Sequence, residues 1–223
     1  MRNNVQAQVK RSFSISMRAQ RGFTLTEMAI VVVLGGILLA AGLMAGRGQI
    51  SRAQAQDVIQ IVGDLQVAST TFKQRYGYLP GDWIYVANQL PNVLASPGNG
   101  DGVIAGTMTA AGLALAGSEV QEASLHLFAA GLIGKLGPNA QQRLQTQFGP
   151  VHIATANAAN TSLAYVTANP AVRNVVVLFN LPCEVVLDLD RALDDGDSTT
   201  GKVQTFAACT AALGTATRTF VPL

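Results

Sequence analysis

The chain has 223 residues, 49% of them hydrophobic and only 13% charged, with a formal net charge of +2. It holds two His and two Cys and shows neither a Gly-x-Ser-x-Gly elbow nor a phosphate-binding loop. Metal centres built on His/Cys spacing and the common hydrolase and nucleotide-binding chemistries therefore have no residues to rest on.

The first 22 residues are basic, with Arg2, Lys10, Arg11, Arg18 and Arg21 and no Asp or Glu. An uncharged run follows from Met28 to Gly46. At about 1.5 Å per residue a helix of that length is roughly 28 Å long, close to the hydrocarbon thickness of a bilayer. Its backbone polar groups would be satisfied internally, as lipid demands. The excess of basic residues before the run places the N-terminus in the cytoplasm and the bulk of the chain, from about Arg47, outside. A secretory signal cut near Ala40-Ala41-Gly42 is the competing reading, but its apolar region would be unusually long. A cut before the run, between Gly22 and Phe23, fits better.

Glu27 sits at the mouth of this helix, where a carboxylate is costly and usually marks function. A cut after Gly22 frees the amine of Phe23, four residues upstream of Glu27. The carboxylate then neutralises that amine within its own chain or, in a bundle of identical helices, the amine of a neighbour, which would set axial register. The plainer alternative is a Glu wetted by headgroups and water.

The phrase Gly22-Phe23-Thr24-Leu25-Thr26-Glu27 followed by an apolar run resembles the prepilin signature of the type IV pilin and pseudopilin superfamily. The resemblance implies a prepilin peptidase that cuts at Gly22/Phe23, methylation of Phe23, and an assembly role for Glu27. It also implies partners: sister subunits along the N-terminal helix, membrane lipid before assembly, and an inner-membrane platform with an ATPase. Two departures stand out. The leader is longer than those common in type IVa pilins, and Met44 occupies a position where many major pilins carry a kinking Pro. Gly35, Gly36, Gly42, Gly46 and Gly48 would loosen the helix instead.

Loss of residues 1–22 changes the charge. Five of the 15 Lys and Arg go and none of the 13 Asp and Glu, so ten basic side chains face 13 acidic ones, a net −3. No basic surface for nucleic acid survives.

Beyond the apolar run, Val58, Ile61, Val62, Leu65, Ala68, Phe72 and Tyr76 recur at three- and four-residue spacing. They predict an amphipathic continuation of the helix that stops at Gly77 to Gly81. The expected organisation is a leader over 1–22, a transmembrane and assembly helix over 23–46, its amphipathic continuation over 47–76, and a globular domain over 77–223. In that domain a helix is expected from Glu119 to Leu132, ended by Gly131 and Gly134, with Leu125, Leu127, Phe128 and Leu132 facing the core. Strands are expected at Val151–Ile153, Leu163–Val166, Val175–Phe179, Glu184–Leu189 and near Val203–Ala207. A long helix leaning on a small antiparallel sheet makes the fold class α+β. Phrases such as Tyr76-Gly77-Tyr78-Leu79-Pro80-Gly81-Asp82 and Leu193-Asp194-Asp195-Gly196-Asp197 are similar to blocks in bacterial pilin-like proteins.

Cys183 and Cys209 both fall in the exported part, where an oxidising compartment favours pairing over two buried thiols. In type IV pilins such a C-terminal bridge bounds the variable loop, and the loop 183–209 matches it. Within it lie Glu184, Asp188, Asp190, Asp194, Asp195 and Asp197. Calcium takes several oxygen ligands, and Asp194, Asp195 and Asp197 surround Gly196. Major pseudopilins bind calcium near this loop, although the spacing here is not that of an EF-hand. A solvated or helix-capping turn and a partner-binding surface are the other readings. Asn99 and Asp101 form a second, weaker cluster of the same kind. His126 reads as a core residue rather than a base, and Trp83, Tyr76, Tyr78 and Tyr85 as packing between helix and sheet.

These readings converge on a non-enzymatic structural subunit of a type IV pilus-like filament, major or minor. It would wait in the inner membrane and be extruded to the cell surface for adhesion, motility or DNA uptake. A pseudopilin of a type II secretion system and a membrane-anchored binding domain that never polymerises are the alternatives.

Overall fold

The computed structural model describes residues 22–210 and 214–223, leaving out the side chains of 44–48; the basic residues of the expected leader lie outside the described part. The chain divides into two compact units, Met1–Ala45 and Gly46–Leu223. Helix α1, Leu25–Tyr76, contributes to both.

Within the first unit, the segment Leu25–Leu43 has a mean hydropathy of 2.2 and none of it is buried. Ile30, Val31, Val32, Val33, Leu34, Ile37, Leu38 and Leu39 all stand exposed. An all-round apolar helix without protein cover is a lipid- or bundle-facing helix.

In the second unit α1 behaves differently. Ala55, Val58, Val62, Leu65, Ala68 and Phe72 are buried, while Ile61 and Tyr76 are partly covered. This is the expected amphipathic stripe, and it packs on one contiguous core. α1 ends as expected at Gly77, which adopts φ 82°.

The sheet has five antiparallel strands in the order β1-β2-β3-β5-β4. They are β1 Leu144–Gln145, β2 Pro150–Thr155, β3 Asn174–Pro182, β4 Gln204–Thr205 and β5 Thr215–Pro222. Central β3 pairs with β2 through Val177↔His152 and with β5 through Val177↔Phe220. Val175 to Phe179 are all fully buried, the pattern of a strand covered on both faces. The Gln66 side chain on α1 donates to the carbonyl of Pro222 at the end of β5, at 2.7 Å. The α+β fold with a pilin-like layout is therefore observed.

Helix α2, Glu119–Ala129, starts at Ser118, whose side chain accepts from Gln121 N–H, and stops three residues earlier than expected. Gly131, at φ 70°, donates to Phe128 O and Leu132 donates to Leu127 O, the paired bonds of a Schellman stop. Its core-facing side chains are Val120, Ala123, His126 and Leu127, whereas Phe128 is 43% exposed.

Two expected strands are helices. Leu163–Val166 lies in α3, Leu163–Ala168, because the Ser162 hydroxyl caps Tyr165 N–H at 3.1 Å and only Tyr165 buries its side chain. Glu184–Leu189 lies in α4, Cys183–Leu193, where Cys183, Val186, Leu189 and Asp190 share the inward face at helical spacing. β-Branched Val185 and Val186 favour a strand locally, but the core accepts this segment only as one amphipathic stripe. α4 packs against β3 and β5.

Candidate functional site

The first candidate is the start of α1. Thr24 precedes the helix, and its hydroxyl accepts from Glu27 N–H at 3.2 Å. Glu27 Oε2 in turn accepts from Thr24 N–H and from the Thr24 hydroxyl, each at 2.9 Å. This is a reciprocal capping box, which satisfies helix-terminal donors and holds a carboxylate against the positive end of the helix. Gly22 and Phe23 lie just outside it in non-helical backbone, and Phe23 is 82% exposed. The cap holds the Glu27 carboxylate against Thr24, the residue that follows Phe23. Thr24 is the capping residue that fixes the Glu27 carboxylate, and it was not among the expected site residues. Its signal, Thr-x-x-Glu ahead of an apolar run, is legible.

The second candidate is the C-terminal loop. Cys183 and Cys209 form a disulfide with Cα atoms 5.4 Å apart, 26 positions apart in sequence. The loop they close begins with α4 and carries the acidic residues. The Asp194 carboxylate accepts from the backbone N–H groups of Lys202 and Val203. Gly201 permits this approach, since at φ 73° a Cβ there would overlap the same carboxylate. Asp195 accepts from Asp197 N–H at 3.0 Å and from the Thr200 hydroxyl at 2.8 Å. Asp197 accepts from Thr199 N–H and hydroxyl at 3.0 and 2.7 Å, bonds that hold its carboxyl below the ordinary range.

Of the three residues expected to hold calcium, the structure brings together Asp194 and Asp195 and adds Asp190 rather than Asp197. Asp190, Asp194 and Asp195 place carboxylate oxygens within 4.8 Å of one another. Asp190 is fully buried, and neither of its carboxylate oxygens has a hydrogen-bond partner. Burial, and then the charges of Asp195 and Asp194, push its carboxyl up to about 6. An oxygen-only donor set with a buried, unpartnered member fits a hard cation such as calcium. Asp188 is differently engaged, accepting from the Ser51 hydroxyl at 2.9 Å and from Arg191 at 2.8 Å.

The remaining candidates have structural duties. Asp101 caps its own turn through Val103 N–H at 2.8 Å and accepts from the Asn99 amide, while Asn99 accepts from Asp101 N–H at 2.9 Å. His126 is fully buried and its Nδ1 accepts from Gly81 N–H at 2.9 Å. Desolvation, helped by the charge of Arg143, lowers it to about 4. Its ring packs edge-on to Trp83 and parallel to Phe72, so the aromatic group binds α1 to the chain that follows it.

The prokaryotic N-terminal methylation motif matches residues 17–43, the segment that contains Gly22, Phe23 and Glu27. The chain is 40% identical over 58 residues to a fimbrial protein of Moraxella nonliquefaciens, covering 26% of this chain and 38% of that protein. It is 29% identical over 104 residues to the fimbrial protein EcpC of Eikenella corrodens, covering 44% of this chain and 68% of the relative. A fimbrial protein of Neisseria meningitidis serogroup B is 36% identical over 63 residues, or 28% of this chain and 37% of the relative. This chain is thus similar to fimbrial proteins, and its N-terminal segment carries the methylation motif. No solved structure matches it. The matches to two of these three relatives span less than two-fifths of their length.

Proposed function

We propose that this chain is a precursor cut between Gly22 and Phe23, methylated at Phe23, and assembled as a structural subunit of a type IV pilus-like filament. The observation that carries the reading is the coincidence of three features in one segment. The methylation motif covers residues 17–43, the Leu25–Leu43 helix leaves its apolar surface without protein cover, and Glu27 is held at the helix mouth. Before assembly the helix rests in the inner membrane with the globular unit on the periplasmic side. A membrane platform with an ATPase then lifts the subunit out. Contact with sister helices replaces contact with lipid, so the filament holds together outside the membrane. Within it, Glu27 neutralises the amine of Phe23 on its own or an adjacent subunit.

Mass spectrometry of the N-terminal peptide from sheared cell-surface material tests this. A peptide beginning with methylated Phe23 supports the proposal. A methylated Phe23 confined to membranes would redirect it to a periplasmic secretion pseudopilus, and a retained Met1 would indicate an anchored domain that does not polymerise.

A further inference from the structure

A hydroxyl inside a helix commonly turns back to the carbonyl four residues earlier, as Thr70 on α1 does to Gln66 O at 2.9 Å. Its neighbour Ser69 does not. Ser69 is 1% exposed, and its Oγ has no hydrogen-bond partner. Such a group costs free energy to keep, so it calls for a partner from outside the chain. Ser69 lines an open cleft of about 510 Å³ between the last turns of α1, the Gly102 turn, the chain leading into β3 and the end of β5. Lys73 and Arg173 line the same cleft, and no Asp or Glu does. Neither cation forms an ion pair among the described residues, where the ion pairs are Arg143–Glu122 and Arg191–Asp188. Leu223 also borders the cleft, and its carboxylate pairs with neither.

We propose that this cleft binds an oxyanion, the phosphate or carboxylate group of a small polar molecule, through Lys73 and Arg173 with Ser69 Oγ as a third donor. Arg173 is held in place before any ligand arrives. Its Nη2 donates to Asp101 O at 3.2 Å, and a Cβ at Gly102, where φ is 81°, would lie only 3.4 Å from its Nη1. One such bond leaves most of the guanidinium donors for a ligand. Asn174 fixes the wall beside it, donating to Gly102 O at 3.0 Å and accepting from Ile104 N–H at 2.9 Å. The guanidinium fork matches two oxygens of a phosphate or carboxylate, the ammonium adds a compact charge, and the hydroxyl adds an orienting bond. Leu79, Val172 and Pro222 supply apolar wall for the rest of the ligand. Lys73 also complements the C-terminal dipole of α1, and Arg173 anchors the Asp101 turn, but neither duty accounts for the unpaired Ser69. The site lies wholly within Gly46–Leu223 and does not rest on the filament reading.

The test is an NMR titration of the full chain in detergent at constant ionic strength, with inorganic phosphate and, separately, glucuronate as probes. At least one probe should move the amide signals of Thr70, Arg173 and Asn174 saturably, while chloride should not. Phosphate alone would assign a phosphate ester, and glucuronate alone a sugar acid. Lys73→Gln, at an exposed position, and Arg173→Gln should each weaken binding by about tenfold or more. Ser69→Ala should weaken it by about three- to tenfold without lowering Tm, because the lost hydroxyl has no partner in the free protein. A purely structural Ser69 would leave binding unmoved. No saturable shift with either probe, or shifts that survive Lys73→Gln and Arg173→Gln combined, overturns the proposal.

Discussion

Thr24 and Glu27 cap each other: the backbone N–H and the hydroxyl of Thr24 both donate to Glu27 Oε2 at 2.9 Å, and Glu27 N–H donates to the Thr24 hydroxyl at 3.2 Å. The carboxylate at the mouth of the apolar helix is thus positioned by its own chain, before any neighbour arrives. Its orientation and the assembly role proposed for it can be tested separately, because Thr24 governs the first and the Glu27 charge the second.

Glu27→Gln keeps the shape of the cap and removes the charge. It should leave cleavage after Gly22 intact and sharply reduce incorporation into filaments, whereas Thr24→Val should weaken the helix start by about 1 kcal/mol. Immunoblots of sheared filaments against whole-cell processed protein separate the two. Normal filament yield from Glu27→Gln would remove the charge from the assembly mechanism.

His126 makes the globular unit acid-sensitive. Its folded pKa of about 4 lies below the unfolded value near 6.5, so between those pH values the unfolded chain takes up a proton that the folded chain refuses. Stability contributed by keeping His126 neutral is complete above pH 6.5 and falls as pH drops toward 4, by up to about 3 kcal/mol. Trp83, the only Trp, is buried edge-on to His126 and reports unfolding by fluorescence. Urea midpoints of the parent and His126→Gln should converge at low pH and diverge above 6.5; parallel curves would refute the assignment. Carboxyl titrations common to both chains cancel in that difference.

The Cys183–Cys209 bridge closes a loop with a sequence separation of 26. Reduction, or the double change to Ser, should lower stability by roughly 3 kcal/mol through freedom regained by the unfolded chain. Trp83 fluorescence melts with and without reductant measure this. Alkylation of both cysteines in non-reduced protein would show that the bridge is absent.

Asp82 is 1% exposed, and its two carboxylate oxygens accept from Gly100 N–H at 2.6 Å and Gly102 N–H at 2.7 Å. It pins the loop after α1 to the Asn99–Gly102 turn. Asp82→Ala leaves those donors without their acceptor and should cost about 2–4 kcal/mol, read from the same melts. Asp101→Ala, at the exposed side of the turn, should cost far less.

Much of this protein is settled by local pattern. The uncharged run, the carboxylate beside it, the amphipathic stripe from Val58 to Tyr76 and the glycine stops depend on neighbours within a few residues, which a linear reading contains. Thr24 as a cap belongs to the same class, since its partner is three positions away. Other features were decided only by the assembled core. Leu163–Val166 and Glu184–Leu189 carry strand-like residues, yet the buried faces available to Tyr165 and to Val186, Leu189 and Asp190 require helices. β5 becomes a strand by pairing with β3 over most of its length, from Thr215 to Pro222. Asp190 looks in sequence like one acid among six; its burial without a partner arises because α4 turns that position inward against β3 and β5. Local spacing determines what a segment can become, whereas burial is a property of contacts between distant residues and exists only once the chain has folded.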